Sequence, residues 1–151
     1  MRDVALVFLI GGLLAGSSAA GEVAPAEAEV LVKAAIAYAK AKGREAAFKE
    51  ITRPGGLFHK RSGELYVFVY DLDGRVMAHG QGRSKVGINQ INARDPDGRE
   101  FVRDRIQLAT AKGKGWHDYK YRNPATGRLE NKTSYIELWE GFIFGAGIYK
   151  K

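Results

Sequence analysis

A chain of 151 residues, 45% hydrophobic and 11% aromatic, has room for one ordinary domain with a real core and not for two. It contains no cysteine, which excludes disulfides, thiolate metal sites, cysteine nucleophiles and lipid attachment through a thiol. The net charge is +7, yet Lys40, Lys42 and Arg44 neighbour Glu45 and Glu50, and Arg99, Arg103 and Arg105 sit among Asp97, Glu100 and Asp104. That is a solvated, mixed-sign surface rather than a phosphate track, and without a basic patch carrying stacking aromatics nucleic acid is not an expected partner.

The first residues read as an export signal. Met1-Arg2-Asp3 precedes an apolar run over 4–15 and a small-residue stretch ending at Ala20, where cleavage is predicted. An uncleaved anchor is the alternative, although the run is short for a span of about 20 residues. The expected mature domain is 21–151, periplasmic or secreted, with no membrane span of its own.

Residues 24–42 are alanine-rich, with Pro25 suited to a first helical turn and Gly43 to a C-cap. Leu31, Ala34, Ala35, Tyr38 and Lys42 recur at helical spacing and predict an apolar stripe that fades at its end. A second, shorter helix over 44–52 is expected to bury Ala47, Phe48 and Ile51, before Pro54-Gly55-Gly56 stops it.

The stretch over 65–79 organises the rest. Leu65 to Tyr70 is apolar or aromatic on both faces, so this strand should be central and covered on both sides. Asp73-Gly74 supplies a tight reversal, because Gly74 takes φ > 0 without a Cβ clash, and Val76 to His79 forms the return strand. The glycine-rich, basic segment over 80–87 lacks the spacing of a phosphate-cradling loop and reads as structural. Ile88, Ile91 and Phe101 are expected to fasten the segment after it to the core.

Asp95-Pro96-Asp97-Gly98 alternates carboxylates as a calcium loop does, but position 12 from Asp95 is Ile106, where the bidentate Glu would be needed. A helix start fits better, with Asp95 or Asp97 capping a helix that carries Phe101, Val102, Ile106 and Ala109. Three strands close the chain, over 115–122, 129–139 and 142–149, joined by Asn123-Pro124-Ala125-Thr126-Gly127 and Glu140-Gly141. The fold class is therefore α+β: a PAS-like, five-stranded antiparallel sheet with the long N-terminal helix packed on one face.

Tyr66 to Gly74, Ala78-His79, Asp95 to Gly98, Gly115-Trp116 with Tyr119, Asn123 to Gly127, Lys132 with Ser134-Tyr135, and Gly145 to Tyr149 together resemble the bacterial single Cache domain. None of these motifs is specific alone; their order and spacing are. The resemblance covers about 25–150 and implies an extracytoplasmic sensor module for small organic acids or similar metabolites. In this family such modules are usually joined to chemoreceptors, kinases or cyclases, so a membrane receptor or another exported protein is an expected partner. Where the family commonly has Ala-His-Pro, this chain has Ala78-His79-Gly80.

If Arg122 and Leu129 flank the turn, Tyr119 faces Lys132 across the hairpin and Tyr121 shares their side, while Trp116 and Tyr135 fall on the other. A phenol and an ammonium converging on one spot suit a carboxylate, the ionised donor giving strength and the phenol direction. Tyr119, Lys132 and Tyr121 are thus candidate ligand contacts, with Phe68 and Tyr70 as the apolar wall and His79 at the pocket mouth. His59, His79 and His117 lack metal-site spacing, and no nucleophile, base and orienter constellation emerges, so neither metal nor cofactor nor catalysis is expected. The expected ligand is a small monocarboxylate such as acetate, pyruvate, lactate or propionate. Alternatives are a protein-interaction module without a small ligand and, less favoured, an enzyme acting on small acids.

Overall fold

The computed structural model describes residues 22–150; the predicted export signal lies outside the described residues. Helix α1 (Pro25–Lys42) opens with Pro25 in its first turn, and the Glu27 carboxylate accepts a hydrogen bond from the Ala24 N–H at 2.8 Å. Gly43, at φ 91°, breaks it from α2 (Arg44–Thr52). The buried face of α1 comprises Ala28, Leu31, Val32, Ala35, Ile36 and Ala39, so the helix is rotated from the predicted stripe. Ala34 is exposed and Val32 and Ile36 turn inward, because the larger side chains remove more apolar area from water.

Strands β1 (His59–Lys60), β2 (Leu65–Asp71), β3 (Val76–His79), β4 (Lys114–Arg122), β5 (Leu129–Trp139) and β6 (Phe142–Tyr149) form one antiparallel sheet, with α3 (Phe101–Lys112) between β3 and β4. The order is β1-β2-β6-β5-β4, with β3 also pairing β2. The two-residue β1 makes six strands where five were predicted; it adds to the start of β2, with His59 opposite Tyr66.

Period-two alternation in β2 divides the core. Leu65, Val67 and Val69 join the cluster beneath α1 and α2, with Phe144, Ala146 and Tyr135. Tyr66, Phe68 and Tyr70 face the other way and meet Phe101, Val102 and Ala109 of α3, together with Tyr119, Ile136 and Ile143. The strand is therefore covered on both sides, as its composition predicts.

The segment between β3 and α3 departs from expectation in two places. Ile88 is 49% exposed rather than anchored, and Ile91 and Phe101 alone pack inward. Asp95 does not cap α3. One of its oxygens accepts from the Asp97 and Arg99 N–H groups and the other from the Lys120 N–H at 3.0 Å. That turn uses both oxygens of Asp95 before the helix begins, and Glu100 precedes the first helical residue instead.

Candidate ligand-binding site

The candidate site lies on the α3 side of the sheet. Tyr119 lies opposite Lys132 in the β4–β5 ladder, in the predicted register. Lys132 is 1% exposed. Its ammonium does not turn to Tyr119; it donates to the Tyr66 hydroxyl at 3.0 Å, and that hydroxyl lies 3.4 Å from the one on Tyr149. Tyr149 in turn donates to the Arg122 carbonyl at 2.9 Å. The Tyr119 hydroxyl pairs with Ser134 Oγ at 2.8 Å. The phenol beside the amine is thus Tyr66, which the sequence places in the central strand without singling it out as a ligand contact.

Two glycines on β6 make this possible. A Cβ at Gly147 would come within 2.2 Å of Ser134 Oγ and 2.6 Å of Lys132 Cε, and one at Gly145 within 2.3 Å of the Phe68 ring. Both positions face the site, so the floor there is bare backbone into which Lys132 and Phe68 settle.

The cation that sequence reasoning missed is Arg105. Counted there among solvated surface charges, it is 2% exposed, because it occupies the middle of the α3 stripe one turn after Phe101 and one turn before Ala109. Its guanidinium carbon lies 4.3 Å from the Phe68 ring centre and 4.7 Å from that of Tyr70. The Lys132 ammonium is 5.6 Å from the same Phe68 ring and 4.4 Å from Tyr66. An arginine at the centre of an amphipathic stripe was the available signal. Among the described residues, the ion pairs join other side chains, and neither Arg105 nor Lys132 has a carboxylate partner.

The remaining predicted residues converge here. Phe68, Tyr70, His79, Tyr119 and Tyr121 line the same cavity as Tyr66, Phe101, Arg105 and Lys132. Its volume, about 10 Å³, has the room of a single water molecule. His79 is buried with its ring 5.3 Å from Tyr66, and its Nδ1 accepts the Gln81 N–H. It therefore sits in the wall rather than at a solvent mouth. Trp116 and Tyr135 lie on the other face, as the register predicts, with their rings 5.5 Å apart; Tyr135 is buried in the core there, but Trp116, expected to be core packing as well, is 38% exposed.

Electrostatics follow from burial. Desolvation, with the Arg105 charge second, holds the Lys132 amine well below the usual lysine value. Burial likewise pulls His79 well below its ordinary value, with Lys132 the next contributor, and takes His117 down to about 2. The phenols move the other way: burial lifts Tyr66, and raises Tyr119 to about 12. They remain protonated donors throughout the physiological range. The cavity thus offers hydroxyl donors, one permanent cation and one amine that lacks an anion.

The PAS-like sheet and α3 thus enclose a small cavity that carries two side chains of positive type. The chain belongs to the Cache domain family, whose model matches residues 31–151. It is 36% identical over 87 residues to the sensor histidine kinase MctS of Rhizobium johnstonii, a stretch that is 56% of this chain and 18% of that protein. Over 87 residues it is 31% identical to the methyl-accepting chemotaxis protein McpP of Pseudomonas putida, covering 56% of this chain and 16% of the relative. The matched stretch is thus less than a fifth of either relative's length. Among solved structures, a methyl-accepting chemotaxis protein from Vibrio parahaemolyticus superposes with a TM-score of 0.70 at 22% identity, over 82% of this chain and 86% of that one. A periplasmic sensor domain of a chemotaxis protein gives 0.66 at 24% identity, over 83% and 90%. A Cache chemosensory domain described for carboxylic acid recognition gives 0.66 at 25% identity, over 83% and 88%.

Proposed function

We propose that this domain is an exported, non-catalytic sensor module that binds a small organic anion, a monocarboxylate of the size of acetate, propionate, pyruvate or lactate. One observation carries the reading: two side chains of positive type, Arg105 and Lys132, are buried against one phenyl ring with no acidic partner among the described residues. Burying cations without an anion is costly, so such a pair is what a site kept ready for an incoming anion requires. Arg105 offers a fork for the carboxylate, Lys132 offers a further donor, and Phe68, Tyr70 and Tyr121 enclose the short carbon chain. The likeness to a domain described for carboxylic acid recognition supports the same class of ligand.

A two- or three-carbon acid needs more room than one water occupies, so binding must move something. From Gln81 to Val86 the hydrogen bonds are all local, whereas Gly87, Ile88 and Gln90 are tied to β3 or to the turn before it through Val76 and Gly74. The segment over 81–86 is therefore the part that can rearrange, and Lys85, 5.9 Å from the Tyr121 ring centre, already reaches over the cavity. Its movement would be the signal passed to a receptor or another exported protein.

Thermal unfolding of the purified protein with acetate, propionate, pyruvate, lactate and amino acids tests this. Small acids should raise Tm in a concentration-dependent way, and Lys132→Ala should lose the effect. A parent protein indifferent to every small acid, or a Lys132→Ala variant that responds as the parent does, would refute it.

A further inference from the structure

Arg105 is oriented by a histidine and not by an acid. Its Nε donates to His117 Nε2 on β4 at 3.3 Å, which leaves the terminal Nη pair for other partners. Accepting there requires the His117 proton to sit on Nδ1, and that atom is buried without a partner among the described residues. The His117 ring stacks on Tyr119 at 4.9 Å, and Tyr119 stacks on Phe101 at 5.2 Å, one turn before Arg105 on the same helix. The imidazole is thus locked by its neighbours in a place where an unsatisfied N–H is tolerated.

A carboxylate at position 117 would make the stronger partner for a buried guanidinium and would leave nothing unsatisfied. It would also neutralise the charge. We infer that His117 is a positioning residue for ligand binding: an uncharged acceptor that fixes the Arg105 guanidinium by Nε while leaving its positive charge uncompensated for an incoming anion. This rests on the carboxylate reading of the cavity and adds to it a residue that does not touch the ligand. The orphaned Nδ1–H and the cation without a counter-ion are then two sides of one arrangement, in which stability of the empty protein is lower than the fold could achieve.

Three substitutions separate this from a merely structural role, using isothermal titration with acetate and pyruvate together with thermal unfolding of the ligand-free protein. His117→Gln keeps an uncharged acceptor and should bind within about threefold of the parent, whereas His117→Leu, which removes the acceptor, should bind about tenfold more weakly. His117→Glu should abolish binding while the ligand-free protein melts at or above the parent temperature, because the buried cation has gained a partner. A structural residue would lower melting and affinity together in all three. His117→Glu binding as tightly as the parent, or His117→Leu and His117→Gln binding equally well, overturns the role of His117. If the glutamate variant does not fold, the Leu and Gln pair decides alone. A parent that binds neither acid instead overturns the carboxylate reading, and this inference with it.

Discussion

Replacing Lys132 with methionine should strengthen the empty protein while removing its ligand response. The amine is fully buried, with one hydrogen bond, to Tyr66 at 3.0 Å. It shares the Phe68 ring with Arg105, at 5.6 and 4.3 Å from the ring centre, so the two groups are under about 10 Å apart and, when both are charged, repel by on the order of 2 kcal/mol at an effective dielectric of about 20. Deprotonating the lysine relieves the repulsion but costs free energy at neutral pH, which is the meaning of its lowered pKa. Methionine is of similar volume and requires no partner, and the Tyr66 hydroxyl keeps Tyr149 beside it. The expected gain is on the order of 1 to 2 kcal/mol, read as a rise of a few degrees in Tm. Differential scanning calorimetry with and without acetate or pyruvate measures both effects. A variant that melts lower than the parent and still shifts with the acid would show that Lys132 is a stabilising core residue and no part of a ligand site.

The same amine predicts how binding depends on pH. It faces Tyr66 of β2, His79 of β3, Arg105 of α3, Tyr119 and Tyr121 of β4 and Tyr149 of β6. None of these supplies a carboxylate, so an anionic ligand should return the proton to Lys132. Binding enthalpies measured at one pH in phosphate and in Tris should differ by the buffers' ionisation, and affinity should fall as pH rises from the free-state value of Lys132 towards 10.5. Stability of the empty protein has the opposite slope there, since the unfolded chain then holds the proton that the folded one lacks; a flat affinity profile would contradict the assignment. On the acid side, His79 and His117 are held neutral by burial, so stability should drop below about pH 6.5 by on the order of 1 kcal/mol per pH unit for each, as followed by urea unfolding. Gly145→Ala should cost about 1 to 3 kcal/mol, because its new methyl group would lie 2.3 Å from the Phe68 ring, and should weaken ligand binding with it; an unchanged Tm would mean that Phe68 has room to retreat.

Much of the site could be read from alternation alone. Strand residues two apart share a face, so once the Asn123 to Gly127 turn was placed, Tyr119 opposite Lys132 followed, as did the exclusion of Trp116 and Tyr135. What alternation cannot supply is the partner strand. That Lys132 meets Tyr66 and Tyr149 rather than Tyr119 depends on β2 and β6 lying beside β5, a non-local arrangement. Arg105 was missed for a related reason: charged residues around it suggest a wet helix face, and only packing against Phe68 and Tyr70 reveals that this position points inward. Asp95 misled because an aspartate before a helix can cap it or close a turn of its own, and the competing acceptor demand, from the Lys120 N–H, lies 25 residues away.

The bare stretch of β6 beneath Phe68 and Lys132 has a consequence for how such a pocket can be retuned. A main-chain floor within a paired strand cannot flex or be resculpted without breaking the ladder to β2 and β5. On the proposed carboxylate reading, selectivity among acids of different length falls to the roof, in α3 and the segment that precedes it, and attempts to redesign the ligand preference belong there.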